Sequence, residues 1–493
     1  MTQSEHPRYD LIIKNAKLVD LESDTQPSRD IAIRDGKIAE IATLIDANEA
    51  KEIIDARGQL AFPGVVDAHM HTGIYSALED DAVSESQAAA MGGVTSSLNY
   101  MRTGQYYLNK SGPYSEFFPE VLEKSAGRFH VDYAYHLAPI MSSHIDEIDE
   151  CIEKFGVTSF KIFMFYGGHG LHGASNDQSK FLMTGPDDRY DFAHFEFIMR
   201  GVQRARERFP HLADSISLGL HCETAEIMRA YTNIVEREGK LEGLKAYSAA
   251  RPPHSEGLAI FIASYLANET ALPNINLLHL TSRKAVEAAM QMQHVFPHIN
   301  FGREVTIGHL VLDVNSKAAA FAKVNPPIRP REDVEYLWER VLDGSIDWIV
   351  SDHACCRTEY KLHCGQHGHS IFLAKSGFGG TEYLLPALIT EGKKRGLSMS
   401  RIAALTSTNP ARRYCLPGKG RISVGRDADI AFVDPNASWT VHAKDSSSQQ
   451  GYTPFEGLEM SAKVTRTMLR GKTVFADGKV VGPATGKYLK RPC

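Results

Sequence analysis

The sequence predicts an α/β protein: a (β/α)8 TIM-like barrel with a small β-sandwich domain formed from both chain ends. Three observations carry that expectation. Short apolar runs, among them "GVVDAHMH", "VTSFKIFMF", "ISLGLHCE", "INLLHLTS" and "DWIVSDHA", alternate with helical stretches through the middle of the chain. These runs carry His, Asp or Lys at or near their ends, and residues gathered from C-terminal strand ends are what such a barrel supplies. The two chain ends instead read as alternating strands joined by tight turns.

At the N-terminus the strand-like runs are "YDLIIKNAKLVD", "RDIAIRDGKIAEI" and "KEIIDARGQLAFPG". Asp35-Gly36 between two alternating runs is a hairpin signal. The far end repeats this style in "GRDADIAFVDP" and "RTMLRGKTVFADGKVVG", with Asp477-Gly478 as a second hairpin turn. Residues 1–62 and 415–482 are therefore assigned to the sandwich and 63–414 to the barrel. The tail, 483–493, reads as a loose extension available to a neighbouring subunit. Within the barrel segment, "HFEFIMRGVQRARERF" and "SRKAVEAAMQMQHVF" have the charged faces of crossover helices. "GLAIFIASYLA" (257–267) is too short to span a bilayer and reads as a buried helix.

Composition narrows the function classes. A formal charge of −6 with acidic and basic residues interleaved provides neither a nucleic-acid groove nor a basic membrane patch. The start, "MTQSEHPRYD", lacks a basic-then-apolar signal pattern. Seven cysteines, an odd number spread over a long chain, argue for a reducing, cytoplasmic setting rather than a disulfide framework.

The chemistry lies in a set of strand ends. His69 and His71 are two apart on an apolar run, so both imidazoles face one side, and neutral imidazole is a ligand for zinc and similar ions. His221 and His279 each close another apolar strand, and Asp352 closes a further one. Taken singly, each of these is an ordinary polar strand end. As an ordered set at equivalent positions they predict a metal centre. Lys161 is the odd member, an amine in the aromatic run "SFKIFMFYGG". An unpaired buried ammonium is costly and responds by losing its charge.

These residues sit in motifs that resemble the amidohydrolase superfamily, specifically the cyclic amidohydrolases: dihydropyrimidinases, hydantoinases and allantoinases. The resemblance covers nearly the whole chain. It rests on "GVVDAHMH", "SFKIFMFY", "HCE", "RPPHSE", "LHLTS", "NPPIRP", "SDHA", "GFGGTEYLLP" and "NPAR" followed by "VGRDADIAFVD". It implies a barrel with an attached β-sandwich, two divalent metal ions and hydrolysis of a ring C–N bond beside a carbonyl. His69, His71 and Asp352 would hold one metal, and His221 and His279 the second. Lys161 would bridge them as a carbamate, N6-carboxylysine, formed from CO2. The expected metal is zinc, with manganese or cobalt as alternatives. By the same resemblance a hydroxide bridging the metals attacks the ring carbonyl. Tyr166 steadies the oxyanion, Asp352 moves the proton to the leaving nitrogen, and Asn325 and Ser376 hold the ring amide through their main chains. The family also implies a homotetramer or homodimer acting on a small-molecule cyclic amide, imide or ureide of the hydantoin or dihydropyrimidine kind.

Three features depart from the pattern. Asn325 stands where the related enzymes usually carry serine. His221 stands 60 positions after Lys161, an expansion that reads as a loop over 167–191 at the mouth, containing His169 and His172. The segment 355–369 gathers Cys355, Cys356, His363, Cys364, His367 and His369. These are enough soft ligands for an accessory zinc, in spacings that match no closed-site pattern. Two other readings keep the fold: a non-catalytic oligomeric scaffold, and a hydrolase of a linear amide or urea. The first is disfavoured because every ligand position is filled, and the deaminase-type relatives generally lack the bridging lysine.

Overall fold

The structure, a computed structural model, describes residues 7–19, 23–167, 189–362 and 370–491. His169 and His172 of the expected mouth loop lie outside the described residues, as do His363, Cys364, His367 and His369. The N-terminal strands are β1 (Tyr9–Leu18), β2 (Ser28–Arg34), β3 (Lys37–Ala42), β4 (Ala50–Asp55) and β5 (Leu60–Pro63). The middle of the chain supplies β6 (Val65–Met70), β7 (Val94–Met101), β8 (Asp132–Leu137), β9 (Ser159–Phe163), β10 (Ser217–His221), β11 (Asn274–Leu277), β12 (Asn300–Thr306) and β13 (Trp348–Val350). The C-terminal strands are β14 (Ile430–Asp434), β15 (Trp439–Thr440), β16 (Glu459–Met460), β17 (Lys463–Leu469), β18 (Lys472–Ala476) and β19 (Lys479–Val480).

Strands β6 to β13 lie side by side in chain order, all neighbours parallel. The ring closes through a parallel bridge between Met70 and His353, where the His71 N–H donates to the His353 carbonyl at 2.7 Å. Asp67, fully buried in β6, ties the seam. Its carboxylate accepts from the Ser351 N–H at 3.0 Å and the Thr381 hydroxyl at 2.8 Å. Closure sets the histidines of the first barrel strand against Asp352, which follows the last.

Helices Phe192–Arg208 and Arg283–Val295 occupy the two stretches expected for crossovers. Asp191 and Ser282 cap them, their side-chain oxygens accepting from Ala193 and Ala285 N–H groups at 3.1 and 3.2 Å. The apolar run 257–267 is helical within Pro253–Glu269, but only one face of it is inward. Ala259, Ile260, Ala263 and Ala267 are fully buried, whereas Leu258, Phe261 and Tyr265 are exposed on the other side. The expectation of a buried helix is corrected to a helix with one core face and one apolar outer face. Among the described residues no helix is long and apolar enough to cross a membrane.

The two chain ends build one nine-stranded sheet, ordered β19-β18-β17-β14-β5-β1-β2-β3, with β4 added beside β1. Its ends curl together: the Ala428 N–H donates to the Gly36 carbonyl and the Gly471 N–H to the Ala428 carbonyl, at 2.9 and 2.8 Å. The two layers of the small domain are thus one continuous ladder. Both expected hairpin turns are present, with Arg34 opposite Lys37 and Ala476 opposite Lys479. Asp35 and Asp477 sit at φ 54° and 52°, each followed by a glycine at φ 74° and 77°. That is the backbone a two-residue turn between twisted strands requires.

The tail does not extend away. Gly486 and Leu489 N–H groups donate to the carbonyls of Phe129 and Tyr133, and Arg491 Nη1 donates to Ser159 Oγ at 2.6 Å. It runs under the N-terminal ends of β8 and β9 of its own barrel. Backbone bonds, the Tyr488 ring packed against Phe118, Tyr133 and Tyr135, and the Arg491 guanidinium hold it there.

Candidate functional site

Strand alternation explains the orientation of Lys161. It is the third of five residues in β9, so it shares the barrel-facing side with Ser159 and Phe163 while Phe160 and Ile162 face the helices. Its Nζ lies 3.1 Å from His69 Nε2, 3.9 Å from the centroid of the Tyr100 ring and 4.4 Å from that of Phe163. Lys161 is buried and makes no ion pair among the described residues. Burial pulls its amine down to about 7, against a smaller upward pull from Asp352 and Glu304.

The four histidines converge on the same spot. Ring centroids of His69 and His71, and of His69 and His279, are 5.3 Å apart, and those of His221 and His279 are 4.4 Å apart. Burial lowers all four imidazoles below their ordinary value, so they are neutral. Asp352 Oδ1 lies 3.2 Å from His69 Nε2 and 3.4 Å from His71 Nε2. The imidazoles beside Asp352 hold its carboxyl below the carboxylate range despite its burial. His279 and Asp352 adopt φ of 36° and 55°, uncommon for side-chain-bearing residues and concentrated here at the barrel mouth.

Each of three imidazoles has one nitrogen held by a partner, which orients the ring. His69 Nδ1 meets Glu304 Oε1 at 2.7 Å, His71 Nδ1 meets the Tyr107 hydroxyl at 2.8 Å, and His221 Nε2 meets Glu223 Oε2 at 2.6 Å. The opposite nitrogen of each ring is left for a ligand in the shared space. His279 Nδ1 is buried and has no hydrogen-bond partner among the described residues. A buried nitrogen left this way costs free energy unless a ligand fills the space before it. The donor set (four neutral imidazoles, one carboxylate and one amine whose charge burial disfavours) fits divalent ions of borderline softness. His69, His71 and Asp352 have ligand atoms within 4.8 Å of one another.

A second buried group with metal-ligand residue types, Asp81, Glu85 and Cys355, is differently arranged. Its oxygens are engaged by the Gly73 N–H, Gln449 Nε2 and His353 Nε2 at 2.8, 3.1 and 2.7 Å. It braces the segment after β13. Cys355 and Cys356 are buried free thiols.

The supporting residues were given no role from the sequence, although Glu223 and Arg251 fall within the motifs "HCE" and "RPPHSE". Glu304 in β12 receives the His69 ring, the Trp348 indole N–H at 2.8 Å and the His279 backbone N–H at 3.1 Å. Burial pushes its carboxyl up to about 8, opposed by these donors and by Lys161. Glu223 is held down to about 2, against its burial, by Arg251 and His221. Arg251 passes from Glu223 to the Tyr247 hydroxyl at 3.1 Å, and that hydroxyl donates to Asn325 Oδ1. Removing a group that orients a ligand imidazole typically costs 10- to 100-fold in metal affinity. Glu304→Gln is therefore expected to bind metal about tenfold or more weakly while staying folded. Competition titration with a chromophoric chelator reads this, and unchanged affinity would remove Glu304 from the account.

One pocket at the C-terminal face of the barrel is lined by His71, Lys161, His221, His279, Asp352 and Tyr166, with Asn325 and Ser376 on its wall. The residues expected to hold the two catalytic metals and the substrate ring meet at this pocket or, for His69, directly behind it. Tyr166 follows β9 in a short 3-10 turn, where Arg102 Nε donates to its hydroxyl at 3.1 Å. Burial pushes the phenol up to about 12, so it stays protonated at neutral pH. Ser376 meets the pocket with its carbonyl accepting from the Tyr75 hydroxyl at 2.7 Å.

With that geometry in view, the comparisons with known proteins are decisive. Residues 223–474 match the sequence profile of the amidohydrolase family. The chain is 30% identical over 490 residues to an allantoinase of Rubrobacter xylanophilus, covering 98% of each protein. It is 31% identical over 492 residues to an allantoinase of Escherichia coli O1:K1 / APEC, covering 98% of this chain and 99% of the other.

The chain belongs to the amidohydrolase family.

Among solved structures, the L-hydantoinase (dihydropyrimidinase) of Arthrobacter aurescens superposes with a TM-score of 0.82 at 27% identity, covering 97% of this chain and 99% of that one. The barrel and the small terminal sheet of this amidohydrolase are thus matched over nearly its whole length by that enzyme.

Proposed function

We propose that this amidohydrolase opens a C–N amide bond in a cyclic amide, imide or ureide. The observation that carries the reading is the buried Lys161 amine, set among four neutral imidazoles and one carboxylate at the barrel mouth. A neutral amine adds CO2 to give N–COO− and releases one proton, which replaces a costly buried cation by an anionic oxygen donor. His69, His71 and Asp352 would hold one ion, His221 and His279 the other, and carboxylated Lys161 both. Two divalent ions, zinc by this donor set or else manganese or cobalt, would supply Lewis acidity and a nucleophile drawn from water at neutral pH.

The chain's own groups do the rest. Asp352 accepts the proton of the attacking water and returns it to the ring nitrogen as that nitrogen departs. Tyr166 donates its O–H to the carbonyl oxygen as negative charge develops, and the Arg102 N–H directed at the phenol oxygen strengthens that donation. Main-chain groups of Asn325 and Ser376 align the ring amide. The Ser376 carbonyl keeps a second lone pair for a substrate N–H beside the Tyr75 hydroxyl. Free thiols at Cys151, Cys222, Cys355, Cys356 and Cys415 support a reducing, cytoplasmic setting. The exposed Leu258, Phe261 and Tyr265 on one helix face support a homo-oligomer, dimer or tetramer.

Ring-opening assays of metal-loaded protein on allantoin, hydantoin, dihydrouracil, cyclic imides and aryl-substituted analogues test the reading. Turnover of at least one ring is expected. Hydrolysis of linear ureides alone, or of nothing by a fully loaded protein, would refute it.

A further inference from the structure

Two lysines outside the metal-facing set are also fully buried, Lys323 and Lys361. Lys361 Nζ donates to the carbonyls of Lys323 at 3.0 Å and Gly377 at 2.6 Å. The Gly377 N–H also donates to the Lys323 carbonyl, at 2.9 Å, and the Lys375 N–H donates to the Lys361 carbonyl at 3.0 Å. Lys323 Nζ in turn donates to the carbonyls of Phe372 at 3.0 Å and Ala374 at 2.6 Å, over the face of the Tyr247 ring. Two amines thus cross-link residues 323–325 to residues 372–377. Asn325 and Ser376, one from each segment, face the pocket that holds Lys161 and Asp352.

Burying a long polar side chain forfeits hydration and rotamer freedom, and an apolar residue would fill the same volume at lower cost. The amine is needed because two separate backbone segments present carbonyls toward one point, and one tetrahedral donor meets both. Burial brings the Lys361 amine down to about 7, and its N–H groups donate in either protonation state. A ring recognised by main-chain groups on two segments is measured by the distance between those segments.

We propose that Lys361, supported by Lys323, is a positioning residue that sets the spacing of the Asn325 and Ser376 main chains and thereby the size of ring the pocket accepts. This rests on the cyclic-amide reading above and adds the device that would give it selectivity.

The test compares metal-loaded wild type and Lys361→Met on every five- and six-membered ring that the wild type opens. KM is expected to rise about tenfold. The ratio of kcat/KM between ring sizes should shift about fivefold or more, with metal content unchanged. KM and ratio both within about twofold of wild type in folded, loaded variant would overturn the proposal, even where its melting temperature has fallen. If Lys361→Met does not fold, Lys323→Met loosens the same frame from the other side and is judged by the same two quantities. A wild type that opens no ring rejects the functional reading itself, whereas an active wild type with an unaltered variant rejects only the role of Lys361.

Discussion

Lys161→Ala is expected to lose stoichiometric metal binding and to drop kcat/KM by about four orders of magnitude or more. The expectation follows from where β9 places the side chain. Its amine is buried against Tyr100, Phe163 and His69, with no acidic partner in ion-pair contact among the described residues to stabilise a cation. A methyl group there leaves the imidazoles of His221 and His279 without the anionic bridge that would share a second ion with His69 and His71. Metal analysis on dialysed protein and steady-state ring opening measure the two effects together. A Lys161→Ala protein with full metal content and activity would show that the amine is structural and the bridging assignment wrong.

Asp352→Asn is expected to lower kcat by about 10^3- to 10^4-fold while leaving KM within a few-fold and the fold intact. Asparagine tolerates the φ of 55° found at this position, so the backbone beside the barrel seam is not disturbed. It keeps one oxygen near His69 and His71 but cannot accept and return a proton at neutral pH. Metal occupancy determined on the same preparation separates the two consequences. An Asp352→Asn protein with two ions and wild-type kcat would assign the proton transfer to another group.

The barrel and its strand-end residues were legible because the chemistry demands particular residue types at recurring positions. His69, Lys161, His221, His279 and Asp352 each close or interrupt an apolar run, and that local pattern marks them without knowledge of the fold. The residues that hold them were not legible. Glu304 meets His69 across 235 positions of chain, and Arg251 reaches Glu223 across 28. Glu304 has no local pattern that separates it from an ordinary strand residue, and "HCE" marks Glu223 without showing that it orients His221.

Lys361 was hidden differently. It stands beside a conspicuous Cys/His-rich stretch, and its partners are backbone carbonyls, which leave no trace in side-chain identity. The helix Pro253–Glu269 exposes the limit of hydropathy in another way. Its apolar residues surround the helix, so composition alone does not say that Phe261 and Tyr265 face outward while Ile260 faces in. The tail departs from the expected loose extension because Gly486 and Leu489 bond through main-chain groups, which leave no trace in residue identity, and Arg491 reaches Ser159 across 332 positions.

The central claim is one metal centre built on a carboxylated lysine. The most direct measurement is metal stoichiometry of the native chain after loading in 13C-bicarbonate, with the label located by carbon NMR and lost on chelation. The account predicts two divalent ions per chain and one labelled carbamate carbon, absent from Lys161→Ala. Two ions bound beside an unmodified Lys161 would contradict it, as would a chain that holds no second ion when the label is present.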